Sequence, residues 1–97
     1  MNYLRAIAGR IRDEVPADQL PEADPTLLFD IYAALALSIG TRTTGREVHD
    51  AWVVWMLTRG ESHPAMVPYA ELEARIQAAD EPFAEAIRRV AALELRN

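Results

Sequence analysis

The chain reads as an all-α protein, a compact bundle of four or five helices with an ordered, proline-bracketed loop. Three observations predict this. Apolar residues recur at helical spacing in four segments. Proline or glycine closes the first three of them, at Pro16, Gly40 and Gly60. The apolar fraction, 51% of 97 residues, is enough for a real core in a domain small enough to be only modestly stable. A single helical domain over residues 1–97 is therefore expected.

In the first segment Asn2 can cap a helix whose Leu4, Ile7, Ala8, Ile11 and Val15 form one buried stripe. Its charged residues, Arg5, Arg10, Arg12, Asp13 and Glu14, face solvent. This is an ordinary bundle helix, or else a partner-binding face through which a homo-oligomer could form. Residues 16–25, PADQLPEADP, read as a solvated connector pinned by Leu20.

Pro25 or Thr26 opens the second helix, TLLFDIYAALALSIG, in which Asp30 and Ser38 are the clearly polar residues before Ile39. It is too short to span a bilayer and should be the most buried helix, packed on the tryptophan face of the third. Asp30 lies in the first turn, where the helix dipole favours an anion, and reads as a cap-like or solvent-edge acid. Gly40 ends this helix, and residues 41–45 make a turn. Thr43 or Thr44 can cap the third helix, with Glu47 completing a capping box after Thr44.

The third helix holds both tryptophans. Val48, Ala51, Trp52 and Trp55 share one face with Met56 at its edge, while Val54 and Leu57 point nearly the opposite way. A helix apolar on most of its circumference is expected to be packed from more than one side, as the central helix of the bundle. After Gly60, Pro64 and Pro68 push His63 and Val67 toward extended conformations. The intervening loop should plug Met66 and Val67 onto the core. Next, Leu72 and Ile76 should point inward from one or two short helical turns. Asp80 can cap the last helix, with Pro82 in its first turn. Phe83, Ala86, Ile87, Val90, Ala91 and Leu93 form its apolar face, and Glu85 can pair with Arg88 and Arg89.

Composition excludes several functions. Fifteen Asp plus Glu against ten Arg and no Lys give a net charge of −5. That balance argues against nucleic-acid binding through phosphate neutralisation, and it also disfavours reading the second and third helices as a DNA-binding helix–turn–helix. With no cysteine, disulfides and thiolate metal sites are excluded, which fits a reducing compartment. No apolar run reaches transmembrane length and no signal-peptide core is present, so a cytoplasmic protein without membrane attachment is expected. The arginine-only, alanine-rich composition is what GC-rich codons encode and predicts a high-GC bacterium or its phage as source.

The candidate chemistry is sparse. His49 and His63 with nearby acids lack the three-ligand spacing of a catalytic zinc site, so no metal is expected. There is no phosphate-cradling glycine loop, no nucleophile–base pair and no carboxylate dyad; neither catalysis nor a cofactor is expected. His49 reads as a structural imidazole bonded to the loop it helps hold, or as a ligand contact. Trp52 reads as core, or as a stacking platform for a planar ligand.

The order H-x-x-W, a few helical turns, H-P-x-x-V-P-Y-x-x-L and a short acidic helical segment resembles the RyR domain. That is the small helical repeat of ryanodine receptors, with bacterial and phage relatives. The matching residues are His49, Trp52, His63, Pro64, Met66, Val67, Pro68, Tyr69, Leu72 and Asp80, followed by the helix over residues 83–90; the RyR-like portion spans about residues 46–92. The chain departs from the pattern at residues 59–62, which replace a longer insertion, and at Met56, where a basic residue is common. The resemblance implies a ligand that is nucleotide-like. Closure of the stiff loop on the third helix would bring His49, Trp52, His63 and Tyr69 around one crevice, with Arg59 or Arg42 as anion partners. The expected function is a non-catalytic binding module for a small nucleotide-like ligand. The alternative is an acidic protein-binding accessory or inhibitor with no small-molecule ligand. An open pocket lined by Trp52, His49 and an arginine would favour the first, and an acidic face without a cavity the second.

Overall fold

The computed structural model describes residues 2–94, and every regular element among them is helical. In chain order these are α1 (Tyr3–Glu14), α2 (Thr26–Ser38), α3 (Gly45–Thr58), the single-turn α4 (Ala74–Ala78) and α5 (Glu81–Glu94). Short 3-10 turns at Ala17–Gln19, Gly40–Arg42 and Tyr69–Glu71 lie in the connections. The radius of gyration, 12.8 Å, matches the ~13 Å of a compact chain of this length. The all-α expectation holds.

Local signals set the helix ends. The Asn2 side chain accepts the Arg5 N–H at 2.8 Å, and Ile7, Ala8, Ile11 and Val15 are buried as their spacing requires. Thr26 opens α2 after the N-cap Pro25, which has no capping side chain; Asp24 accepts from the Thr26 N–H at 3.0 Å and from its hydroxyl at 2.6 Å. Thr44 and Glu47 form the capping box of α3. Thr43 is buried instead; its hydroxyl donates to Gly40 O at 2.8 Å, and its carbonyl accepts from Arg88 at 2.9 Å. Gly60, with φ of 70°, takes the left-handed conformation that ends α3. Its N–H bonds Leu57 O at 3.0 Å and that of Glu61 bonds Met56 O at 3.1 Å, the paired bonds of a Schellman motif.

Three packing expectations need correction. The centre of the bundle is shared by α2 and α5, each of which touches the other three long helices; α3 leaves Val54 48% and Leu57 63% exposed. The bundle has too few helices to enclose both faces of α3. Leu93, placed on the apolar face of α5, is 67% exposed because it sits at the stripe's margin in the last turn; Ala84 is buried in its stead. Arg88 does not pair with Glu85 but crosses to Thr43 and Glu81, while Arg89 joins Glu85 to Glu14 of α1. Asp30 takes both oxygens to the Arg5 Nε at 2.9 Å, tying α2 to α1.

The loop over residues 61–68 returns across α3. Met66 packs against the core, whereas Val67 contributes chiefly its carbonyl, which His49 reaches. Leu20 anchors the 16–25 connector on the core, and Ile76 turns inward from α4. No helix among the described residues is long and apolar enough to cross a membrane.

Candidate functional site

The junction of α3 with the returning loop collects aromatic and imidazole rings. His49 lies almost parallel to Trp52 with centroids 5.8 Å apart, and the edge of His63 meets Trp52 at 5.5 Å. Tyr69 is tilted against His49 at 6.1 Å. Four of the five residues singled out from sequence therefore come together.

Each ring has a local reason for its place. His49 is buried, and its Nε2 lies 2.7 Å from Val67 O; a carbonyl can only accept, so Nε2 carries the proton and donates. His63 is exposed, and its Nδ1 accepts from the Ala65 N–H at 3.0 Å, leaving Nε2 as the donor of the neutral ring. Tyr69 lodges at the start of α3, where a Cβ on Gly45 would meet its hydroxyl at 2.8 Å and where the Arg46 guanidinium lies 5.7 Å from its ring. That seat keeps Tyr69 beside the cluster but out of the adjoining pocket wall.

Arg59 does not join. Its guanidinium lies 4.9 Å from the centre of the Trp55 ring and pairs with Glu61. The two partners are within reach of a short tether, so the arginine satisfies itself locally. Arg42 sits in the exposed turn before α3 and is also absent from the pocket wall.

The pocket has a volume of about 300 Å³, at the small end of the roughly 300–1,000 Å³ typical of ligand sites. Its lining includes Trp52 and His49 of α3, His63 of the returning loop, Tyr32 and Leu28 of α2, and Asp80 and Phe83 at the start of α5. Gln19 and Pro21 also contribute, so the connector read as a solvated linker supplies part of the rim. No arginine among the described residues lines it.

Two groups in this wall were not singled out as site residues from sequence. Tyr32 is 2% exposed, yet its hydroxyl makes no hydrogen bond among the described residues and is not sealed from solvent. Burial raises its pKa, with the Asp80 charge adding to the effect, so it stays a neutral phenol. Asp80 occupies the expected cap position of α5, where its backbone carbonyl accepts from Ala84 at 3.1 Å but its side chain makes no cap bond. Its carboxyl takes no hydrogen bond and no ion pair among the described residues. Burial pushes the carboxyl pKa up to about 6, against the opposing influence of nearby His49. The sequence signal for Tyr32 was a hydroxyl on the inward face of the most apolar helix, since a buried tyrosine needs its polar tip at a wet boundary. For Asp80 no signal existed, because an N-cap aspartate looks the same in sequence whichever way its carboxyl turns.

No three His, Cys, Asp or Glu side chains among the described residues are grouped to hold a metal ion. No curated protein and no solved structure shows a significant match to the chain. A family model described as a domain of unknown function, DUF7701, matches residues 2–92. This overturns the resemblance to the RyR domain, which nothing in the comparisons indicates. The shared H-P-x-x-V-P-Y string has a local physical account: prolines stiffen a short return loop so that the Val67 carbonyl meets buried His49. Such a string can arise wherever a helix histidine must be satisfied by a returning loop. Matched over nearly its whole length, the chain belongs to the DUF7701 family.

Proposed function

We propose that the protein is a non-catalytic binding module that holds one small planar ligand in the pocket between α2, α3 and the start of α5. The observation that carries this reading is the pocket itself, an aromatic-walled concavity with a few polar groups converging on it. Trp52 offers a stacking face, and His63 and Asp80 offer hydrogen-bonding edges. Stacking on an aromatic is worth roughly 1–3 kcal/mol per ring in nucleobase complexes, enough for weak binding without further contacts.

A nucleotide-like ligand fits this wall only through its base. Arg59 is engaged with Trp55 and Glu61, so a phosphate would find no cation in the wall and would face the Asp80 carboxylate. Binding is favoured over catalysis because Asp80, His49 and Tyr32 make no hydrogen bonds with one another, and an activated nucleophile needs a base within such reach. The presence of a cavity also weighs against a purely protein-binding accessory.

The test uses the two tryptophans separately. In a Trp55→Phe variant, planar heteroaromatic compounds should change Trp52 fluorescence and shift the His49 and His63 NMR signals together. Ligand shifts confined to α1, or an affinity unaltered by Trp52→Leu, would show the pocket to be packing alone.

A further inference from the structure

We propose that the pocket selects a small organic cation with a planar N–H donor edge, an amidinium-type group or a protonated amino-heterocycle, and that Asp80 anchors it. This rests on the reading of the pocket as a ligand site and goes beyond it in naming the ligand's charge. The first support is that Asp80 is partly buried yet unpaired, whereas other acids without a partner, such as Asp13, Asp18 and Asp50, are exposed. Glu14, Asp30, Glu61, Glu81 and Glu85 each reach an arginine, whereas the Asp80 carboxyl reaches neither a cation nor a hydrogen-bond donor among the described residues. An aspartate at a helix start ordinarily turns back to accept a backbone N–H. Here that bond is forgone, and the carboxyl lies half-buried in a pocket wall with its acceptor capacity unused.

The second support is what surrounds it. Trp52, Tyr32 and Phe83 line the same space, and an aromatic face attracts a cation, tryptophan most strongly. No arginine in the wall competes for the carboxylate, and the net charge of −5 draws cations from a distance.

The titratable groups near Asp80 are accounted for. Tyr32 of α2 stays neutral, and His49 of α3 is fixed as a donor to Val67. His63 comes from the loop, and Glu81, next in the chain, is engaged by Arg88. The carboxyl remains mostly ionised at neutral pH and becomes protonated below about pH 6. A cation should therefore bind more tightly above that pH.

Three nearly isosteric probes test this by calorimetry, with Trp52 fluorescence in parallel: benzamidine, benzamide and benzoate. At pH 8 benzamidine should bind about tenfold tighter than benzamide, the margin of a charge-assisted over a neutral hydrogen bond, and benzoate weakest of the three. Asp80→Asn should reduce that preference to about twofold or less, and at pH 5 the unmodified protein should lose most of it. Any pH dependence left in Asp80→Asn does not come from Asp80. The pH series needs no variant, so it decides the matter even if the substitution impairs folding. Equal binding of benzamidine and benzamide at pH 8 would overturn the charge selection while leaving the pocket as a ligand site. If none of the three perturbs Trp52, both the cation preference and the pocket reading fall.

Discussion

At Asp80 a carboxyl that could have capped α5 is held among apolar groups, and its protonation is thereby linked to folding. Its folded pKa of about 6 lies above the ordinary aspartate value of 3.8. The neutral form is favoured in the folded state, so its contribution to stability is greatest below about pH 4 and is lost as pH rises to about 6. Residual access to solvent limits this contribution to about 1–2 kcal/mol. Asp80→Asn is expected to stabilise the protein at pH 7 by that order and to flatten the stability curve between pH 4 and 6, as read by urea denaturation. An unchanged or lower midpoint at pH 7 would mean that the carboxylate has a partner. Neither the burial nor the missing partner was legible in sequence, because both depend on where α2 and α3 lie relative to the α4–α5 corner.

The helix termini obey local rules, and glycine shows this with opposite signs at two positions. Gly60 has a φ of 70° and open space around it, so alanine there would be strained by backbone conformation alone. Gly9 lies within α1, with nothing near enough to hinder a Cβ. Gly60→Ala should destabilise by about 1 kcal/mol, whereas Gly9→Ala should stabilise by about 0.5–1 kcal/mol. Thermal unfolding of the two variants checks both, and equal shifts would contradict the assignment of Gly60 as the terminator of α3. The caps at Asn2, Thr44 and Gly60 were legible because each acts within a few residues of chain. The bonds from Thr26 to Asp24 at the start of α2 were not, since they reach across Pro25.

For the molecule as a whole, one residue weighs heavily. Trp55 is 5% exposed in the core and roofed by Arg59. Trp55→Ala should cost about 3–5 kcal/mol, the usual range for truncating a large buried aromatic. Domains of this size have roughly 5–15 kcal/mol in total, so the variant should unfold cooperatively at a much lower denaturant midpoint. A midpoint left in place would show that the ring is not part of the core. Trp52, placed on the same face by periodicity, is only half-buried, because the neighbouring elements leave a gap there instead of closing over it.

The sequence by itself determined the helical class, the extents of the long helices and most of their inward faces. These follow from apolar spacing and from caps and breakers that act over three or four residues. It also indicated that His49, Trp52, His63 and Tyr69 meet, since two prolines and a short tether leave the loop little freedom. The tertiary structure alone decided that α5 shares the centre with α2, that Arg59 turns to Trp55, and that Asp80 and Tyr32 face a shared pocket. These depend on contacts between residues tens of positions apart, where competing partners of similar chemistry are resolved only by the packing of the helices.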